Sequence, residues 1–139
     1  MPIRYYVDAD LLGIAKILTP IRSDMTYPGD PGGLGRDGLP RDPCPIHPGA
    51  KDPDWLPLVA QQGWIVISRD RRQRSKPAER AAITEHSARV VTLDAKRQLS
   101  KWDELEILFC QWRAIEALTS APGPWLYIAS RTTLRAFDL

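Results

Sequence analysis

The stretch Asp52–Asp70, DPDWLPLVAQQGWIVISRD, decides how the chain folds. An acidic residue opens a short helix over Pro53–Gln62, and Gly63 ends it. Trp55, Leu58 and Val59 recur at i, i+3 and i+4, an apolar stripe that packs the helix on a sheet. Trp64–Ser68 then reads as a buried strand that delivers a second carboxylate, Asp70, at its C-terminal end. In open α/β sheets the functional crevice lies outside the carboxyl ends of the strands. Asp70 belongs to that rim, the nearby helix start brings Asp52 to it, and Asp8 joins them after another strand-like run. Three carboxylates on one edge repel each other unless a hard cation sits between them. Oxygen-rich sites of this kind hold Mg²⁺ or Mn²⁺. The residues therefore point to a small metal-dependent enzyme acting on phosphates, with a nuclease as the leading expectation.

Upstream, Ile3–Val7 reads as a short buried strand rich in Tyr and β-branched residues. Asp8-Ala9-Asp10 follows, then an apolar-periodic helix, LLGIAKIL, to about Leu18. Asp10 suits the N-cap of that helix, and a place in the metal site is its alternative role. From Thr19 to Lys51 the composition changes, with eight of the 13 prolines lying between Pro20 and Pro53 and six of the nine glycines beside them. Such a segment sustains neither a helix nor a central strand. It is no phosphate-binding loop, since no Gly-Lys-Ser/Thr follows. A loop at about 19–51 is expected; it has room for a short sheet segment or helical turn near Asp24–Tyr27, which the sequence does not specify. His47 lies close in sequence to the acidic residues and reads first as a loop histidine, with a catalytic or ligand role as the rival.

Downstream comes the chain's one strong charge cluster: Arg69, Arg71, Arg72, Arg74, Lys76 and Arg80, opposed by Asp70 and Glu79. Basic side chains flanking a metal site position a phosphodiester backbone. The cluster holds no aromatic residue, so base stacking on it is not expected. Pro77 starts a helix, PAERAAITEHS. Arg89–Leu93 reads as a strand with Asp94 at its end, which obeys the same rim logic as Asp70. Ser100 caps a helix reaching about Leu118, with Leu105, Leu108, Trp112, Ile115 and Leu118 as its apolar face. That face is read as core, with part of it a candidate dimer or partner surface. Pro122-Gly123-Pro124 breaks the chain before WLYIAS, and TLRAF forms a last strand beside it.

The 139 residues fit one domain with a single core. A net charge of +2 implies nothing about nucleic acid by itself. The two cysteines, Cys44 and Cys110, have no metal-ligand spacing, which argues against a zinc site or a disulfide scaffold. Asp8 and Asp10 interrupt what would be the apolar core of a signal peptide. No apolar run approaches the roughly 18 residues of a membrane span. A cytoplasmic protein without membrane contact is the expectation.

The Asp52–Asp70 window resembles the core signature of PIN-like domains: an Asp, a helix, Gly, an apolar strand, Ser or Thr, a basic residue, then Asp. Asp52, Gly63, Ser68, Arg69 and Asp70 fall on that pattern, and Asp8 matches the first acidic residue after strand one. The Trp in DPDW and the run RDRRQRSKPAER resemble a VapC-type toxin subfamily. The similarity covers Met1–Asp10 and Asp52–Arg80 and is loose over the C-terminal third. It implies a three-layer α/β/α domain with a mostly parallel sheet and a divalent-metal-dependent endoribonuclease, the toxin of a toxin–antitoxin pair. Its partners would be an RNA substrate and a cognate antitoxin; a candidate homodimer rests on the Trp112-bearing helix alone. By resemblance Asp8, Asp52 and Asp70 are the catalytic metal ligands for Mg²⁺ or Mn²⁺, and Ser68 supports them by hydrogen bonding. Arg69, Arg71, Arg72 and Lys76 hold the RNA backbone.

This chain departs from the family pattern in two places. Where the family usually carries a further acidic residue, often Glu, on an early helix, this chain has the Pro/Gly loop, and Arg72 stands where a further Asp is common. Asp10, Asp54 and Asp94 are the candidates for the fourth ligand. Two rival functions stand beside the nuclease. One is a catalytically inactive module that binds RNA or a protein partner. The other is a small phosphatase read from the Asp-x-Asp of VDAD, although Leu11 occupies a position where Thr or Val is usual.

Overall fold

The computed structural model describes residues 2–69, 76–94 and 98–139. In chain order they form β1 (Tyr5–Val7), α1 (Leu12–Leu18), β2 (Met25–Thr26), β3 (Gly33–Leu34), β4 (Pro40–Arg41) and α2 (Asp52–Gln62). Then follow β5 (Ile65–Arg69), α3 (Pro77–Glu85), β6 (Arg89–Leu93), α4 (Lys101–Ala117), β7 (Trp125–Ala129) and β8 (Leu134–Phe137). Single 3₁₀ turns occupy Ala9–Leu11 and Leu118–Ser120. Six strands make one sheet in the order β2-β1-β5-β6-β7-β8. It is parallel throughout except for β8, which returns antiparallel along β7. The expected closing hairpin is therefore present, and the segment near Asp24–Tyr27 supplies the edge strand β2.

The strands are short and apolar on both faces because both faces are covered. Tyr5, Val7, Ile65, Ile67, Val91 and Leu93 join Ile14, Leu18, Leu108 and Ile115 from α1 and α4 in one core. Tyr6, Val66, Val90 and Leu126 point the other way, onto Trp55, Leu56 and Val59 of α2 and Ile83 of α3. Period-2 alternation thus sends successive residues of each strand to opposite helix layers, giving three layers, α/β/α. No helix among the described residues is long and apolar enough to cross a membrane.

Local chemistry explains the element ends. Gly63 caps α2 in the left-handed region with φ 73°, its N–H donating to Ala60 O at 3.0 Å. Pro77 occupies the first turn of α3, where no N–H is needed. Ser100 and Asp103 form a reciprocal capping box at the start of α4.

Four details differ from the expectations. The first strand begins at Tyr5 rather than Ile3. Asp10 does not cap the first helix: Asp8 precedes the 3₁₀ turn and its Oδ1 accepts the Ala9 N–H at 2.7 Å. Leu58 is exposed, and Leu56 takes its place in the core. Asp52 is the first residue of α2 rather than its cap, which falls at Lys51.

Apart from the two-residue strands β2, β3 and β4, Thr19–Lys51 is irregular, as its composition requires, yet it is tied down from within. Asp30 is fully buried and ion-paired to Arg41. It also accepts from Thr26 Oγ1 at 3.1 Å and from the Gly32 N–H at 2.8 Å. Ile46 from the same segment is buried in the core beneath α2.

Candidate active site

The parallel ladder places Asp8 one residue beyond β1, its N–H donating to Ile67 O at 2.9 Å. Asp8 therefore stands at the carboxyl edge of the sheet beside Ser68, the next residue of β5. The α2 helix brings Asp52 to the same place, and its Oδ1 accepts from the Trp55 indole Nε1 at 3.1 Å. That bond works in both directions. It fixes the carboxylate over the helix start and satisfies an indole N–H whose ring packs on Tyr6 with centroids 5.0 Å apart.

Asp8, Asp52 and Ser68 line one cavity of about 510 Å³. Trp55, Leu56 and Pro57 of α2, Val66 and Val90 of the sheet, and Ala82 and Ile83 of α3 form its apolar walls. Glu79, Glu85 and His86 complete it from α3. These three were missed in the sequence, although Glu79, Ala82, Ile83 and His86 share one face of a helix at i, i+3, i+4 and i+7. Ser68 is 2% exposed, and its hydroxyl has no hydrogen-bond partner among the described residues. Thr92, its register partner on β6, is also buried with an unpartnered hydroxyl. Burial pushes the Tyr6 phenol above its ordinary value, and the negative charge of Asp8 adds to that.

The remaining candidates separate. Asp10 does not line the cavity; both its carboxylate oxygens lie within 3.3 Å of the Arg69 N–H, pinning the end of β5. Asp54 is exposed on the first turn of α2. Asp94 lines a different cleft of about 240 Å³ with Asp103, Glu106 and Arg131. Arg69 directs its guanidinium to Glu104 of α4, at 3.7 Å, on the opposite side of the sheet from Ser68. That pairing leaves it poorly set to hold a phosphate. Burial raises the Glu104 carboxyl above its ordinary value, while Arg69 and Lys101 pull it down. Lys76 occupies the N-cap position of α3 without a side-chain capping bond and pairs with Glu79 at 3.6 Å. His47 is exposed in a turn and does not line the cavity. Asp70, Arg71 and Arg72 lie outside the described residues.

Among the described residues no three His, Cys, Asp or Glu side chains come together as a metal cluster. The donors that share the cavity, two carboxylates and a hydroxyl, are all oxygen, the chemistry a hard divalent cation takes. Asp8 and Asp52 thus fit as part of such a site.

The family model described as a PIN like domain matches residues 39–95, somewhat under half of the chain. The match takes in α2, β5, α3 and β6, hence Asp52, Ser68 and most of the cavity wall, and leaves Asp8 outside. With the mostly parallel sheet between helical layers, the fold is a PIN-like three-layer α/β/α fold, a nuclease-type architecture. Comparison with curated proteins gave no match, and comparison with solved structures gave none.

Proposed function

We propose that this chain is a divalent-metal-dependent endoribonuclease and the toxin component of a toxin–antitoxin pair. The observation that carries the reading is the meeting of Asp8 and Asp52, from distant parts of the chain, at one cavity on the carboxyl edge of a parallel sheet. In this reading Asp8, Asp52 and Asp70 hold Mg²⁺ or Mn²⁺. The bound ion supplies Lewis acidity at the phosphate and a nucleophilic water at neutral pH. Asp8 and Asp52 orient that centre, the Ala9 amide and the Trp55 indole holding their carboxylates in place. Arg71, Arg72 and Lys76 steer the RNA backbone across the rim. A cognate antitoxin and a second copy of the chain are the proposed partners. The exposed Trp102 and Phe109 of α4 are apolar surface available to either.

One observation favours a second reading. Asp8 and Asp52 both accept hydrogen bonds within the chain, as structural aspartates do. An inactive RNA- or partner-binding module would carry them equally well. The phosphatase reading has no such support, because the Asp10 it needs as a general acid grips the Arg69 amide.

The deciding experiment incubates the purified protein with mixed RNA in Mg²⁺ or Mn²⁺, with and without chelator, beside Asp8→Asn. Cutting that requires both the metal and Asp8 supports the nuclease. RNA binding that survives chelator and leaves the RNA intact replaces it with the binding module.

A further inference from the structure

The cavity beside Asp8 and Asp52 is larger than a metal site requires. At about 510 Å³ it falls in the range of pockets that enclose small organic groups. It runs from the carboxylate pair between α2 and α3, so whatever fills it reaches the reacting phosphate as well. Its walls are apolar: Leu56, Pro57, Val66, Ile83 and Val90. The ionisable groups it meets at α3 are Glu85, His86 and Glu79, the last paired with Lys76, and with Asp8 and Asp52 the carboxylates outnumber the rest. A phosphate would be repelled there, and a neutral, flat group with apolar faces would be accepted. Ser68, 2% exposed, also lines the cavity, and its buried hydroxyl is unpartnered among the described residues. The occupant therefore needs a polar edge as well as apolar faces, and a nucleobase has both. Single-stranded RNA is read through bases splayed from the stack into such pockets. A carboxylate at the mouth selects among them, because acidic side chains accept from the exocyclic amine of cytosine.

We propose that this cavity holds the base next to the scissile phosphate and prefers bases with an amine at the pyrimidine 4 or purine 6 position, cytosine or adenine, over uracil. The proposal rests on the nuclease reading above and names the specificity pocket of that site. Ser68 bonds the base edge, Glu79 or Glu85 accepts from the amine, and the apolar walls cover the ring.

The test uses nucleosides, which carry no phosphate and need no metal. Cytidine, adenosine and uridine are titrated into the full chain while NMR follows the Ile83 methyl groups and the Trp55 indole. Cytidine and adenosine are expected to shift both signals, with uridine at least about fivefold weaker, the discrimination one well-placed hydrogen bond confers. Ala82→Phe, which fills the space between α2 and α3, should abolish the shifts. Ser68→Ala should weaken cytidine binding without changing the fold. No shift with any nucleoside, or equal shifts with cytidine and uridine, overturns the proposal. Shifts produced by a leucine-bearing peptide but by no nucleoside overturn it in favour of a protein partner. Metal-dependent cutting blind to base, with silent titrations, removes the pocket and leaves the nuclease standing. Selective nucleoside binding by a chain that cuts no RNA keeps the pocket and removes the nuclease.

Discussion

Asp52 shows how one side chain serves stability and site together. Its carboxylate sits on the first turn of α2, where the helix dipole favours negative charge, and it holds the Trp55 indole. Asp52→Asn keeps an oxygen acceptor for that indole, so thermal stability should change by less than about 1 kcal/mol. Under the proposed function, metal-dependent cleavage should nevertheless fall on the order of 100-fold or more, the usual scale for one preorganised group at a reacting centre. Retained cleavage with unchanged metal dependence would remove Asp52 from the site. Glu104 makes a different prediction. It is buried, its carboxyl is raised by desolvation, and Arg69, Lys101 and Asp103 surround it. A carboxyl whose folded pKa is raised contributes stability fully below its unfolded value, and that contribution is lost as pH rises through the folded value. Denaturant midpoints of the native chain should therefore decline from about pH 4.5 towards neutrality by more than those of Glu104→Gln. Parallel curves for the two proteins would show that Glu104 does not titrate in this window.

At the scale of elements, α2, β5, α3 and β6 were legible almost to the residue, because each boundary carries its own chemistry. Gly63 ends α2, Pro77 begins α3, and the apolar runs between turn signals have strand length. The face of α2 was not legible. Trp55, Leu56, Leu58 and Val59 offer two overlapping stripes, and only packing against Tyr6 and Val66 chooses the one with Leu56 inside. The missed cavity wall has a related cause: Glu79 and His86 meet Asp8 and Asp52 only once α3 has docked beside α2, a nonlocal event. A prediction belongs to this scale. Gly63 holds a positive φ that an L-residue adopts at a cost, and a Cβ there would meet open space. Gly63→Ala should therefore cost ~1 kcal/mol through backbone strain alone. A denaturant midpoint unchanged from the native chain would refute that assignment.

Across the whole molecule, the Pro/Gly-rich segment joins the edge of the sheet to the start of α2. Its composition announced irregular backbone, but the residue that orders it could not be read from spacing. Asp30 and Arg41 are separated by a run of glycines and prolines and meet only because the chain folds back on itself. Their side chains are 0% and 8% exposed, and the pair also engages Thr26, Gly32 and the Met25 carbonyl. Breaking a buried pair from one side leaves an uncompensated charge and costs ~3–5 kcal/mol, whereas replacing both partners with apolar groups is often close to neutral. Asp30→Leu should accordingly lower Tm by roughly 10 °C or more in a chain of this size. The double variant Asp30→Leu with Arg41→Met should recover most of that loss. The same segment buries Ile46 against the core under α2, so loosening it frees the helix that carries Asp52. Under the proposed function, cleavage should then fall in Asp30→Leu even at temperatures where circular dichroism reports a folded chain, and return in the double variant. Loss of stability with cleavage per folded molecule unchanged would show that α2 is positioned by the sheet alone.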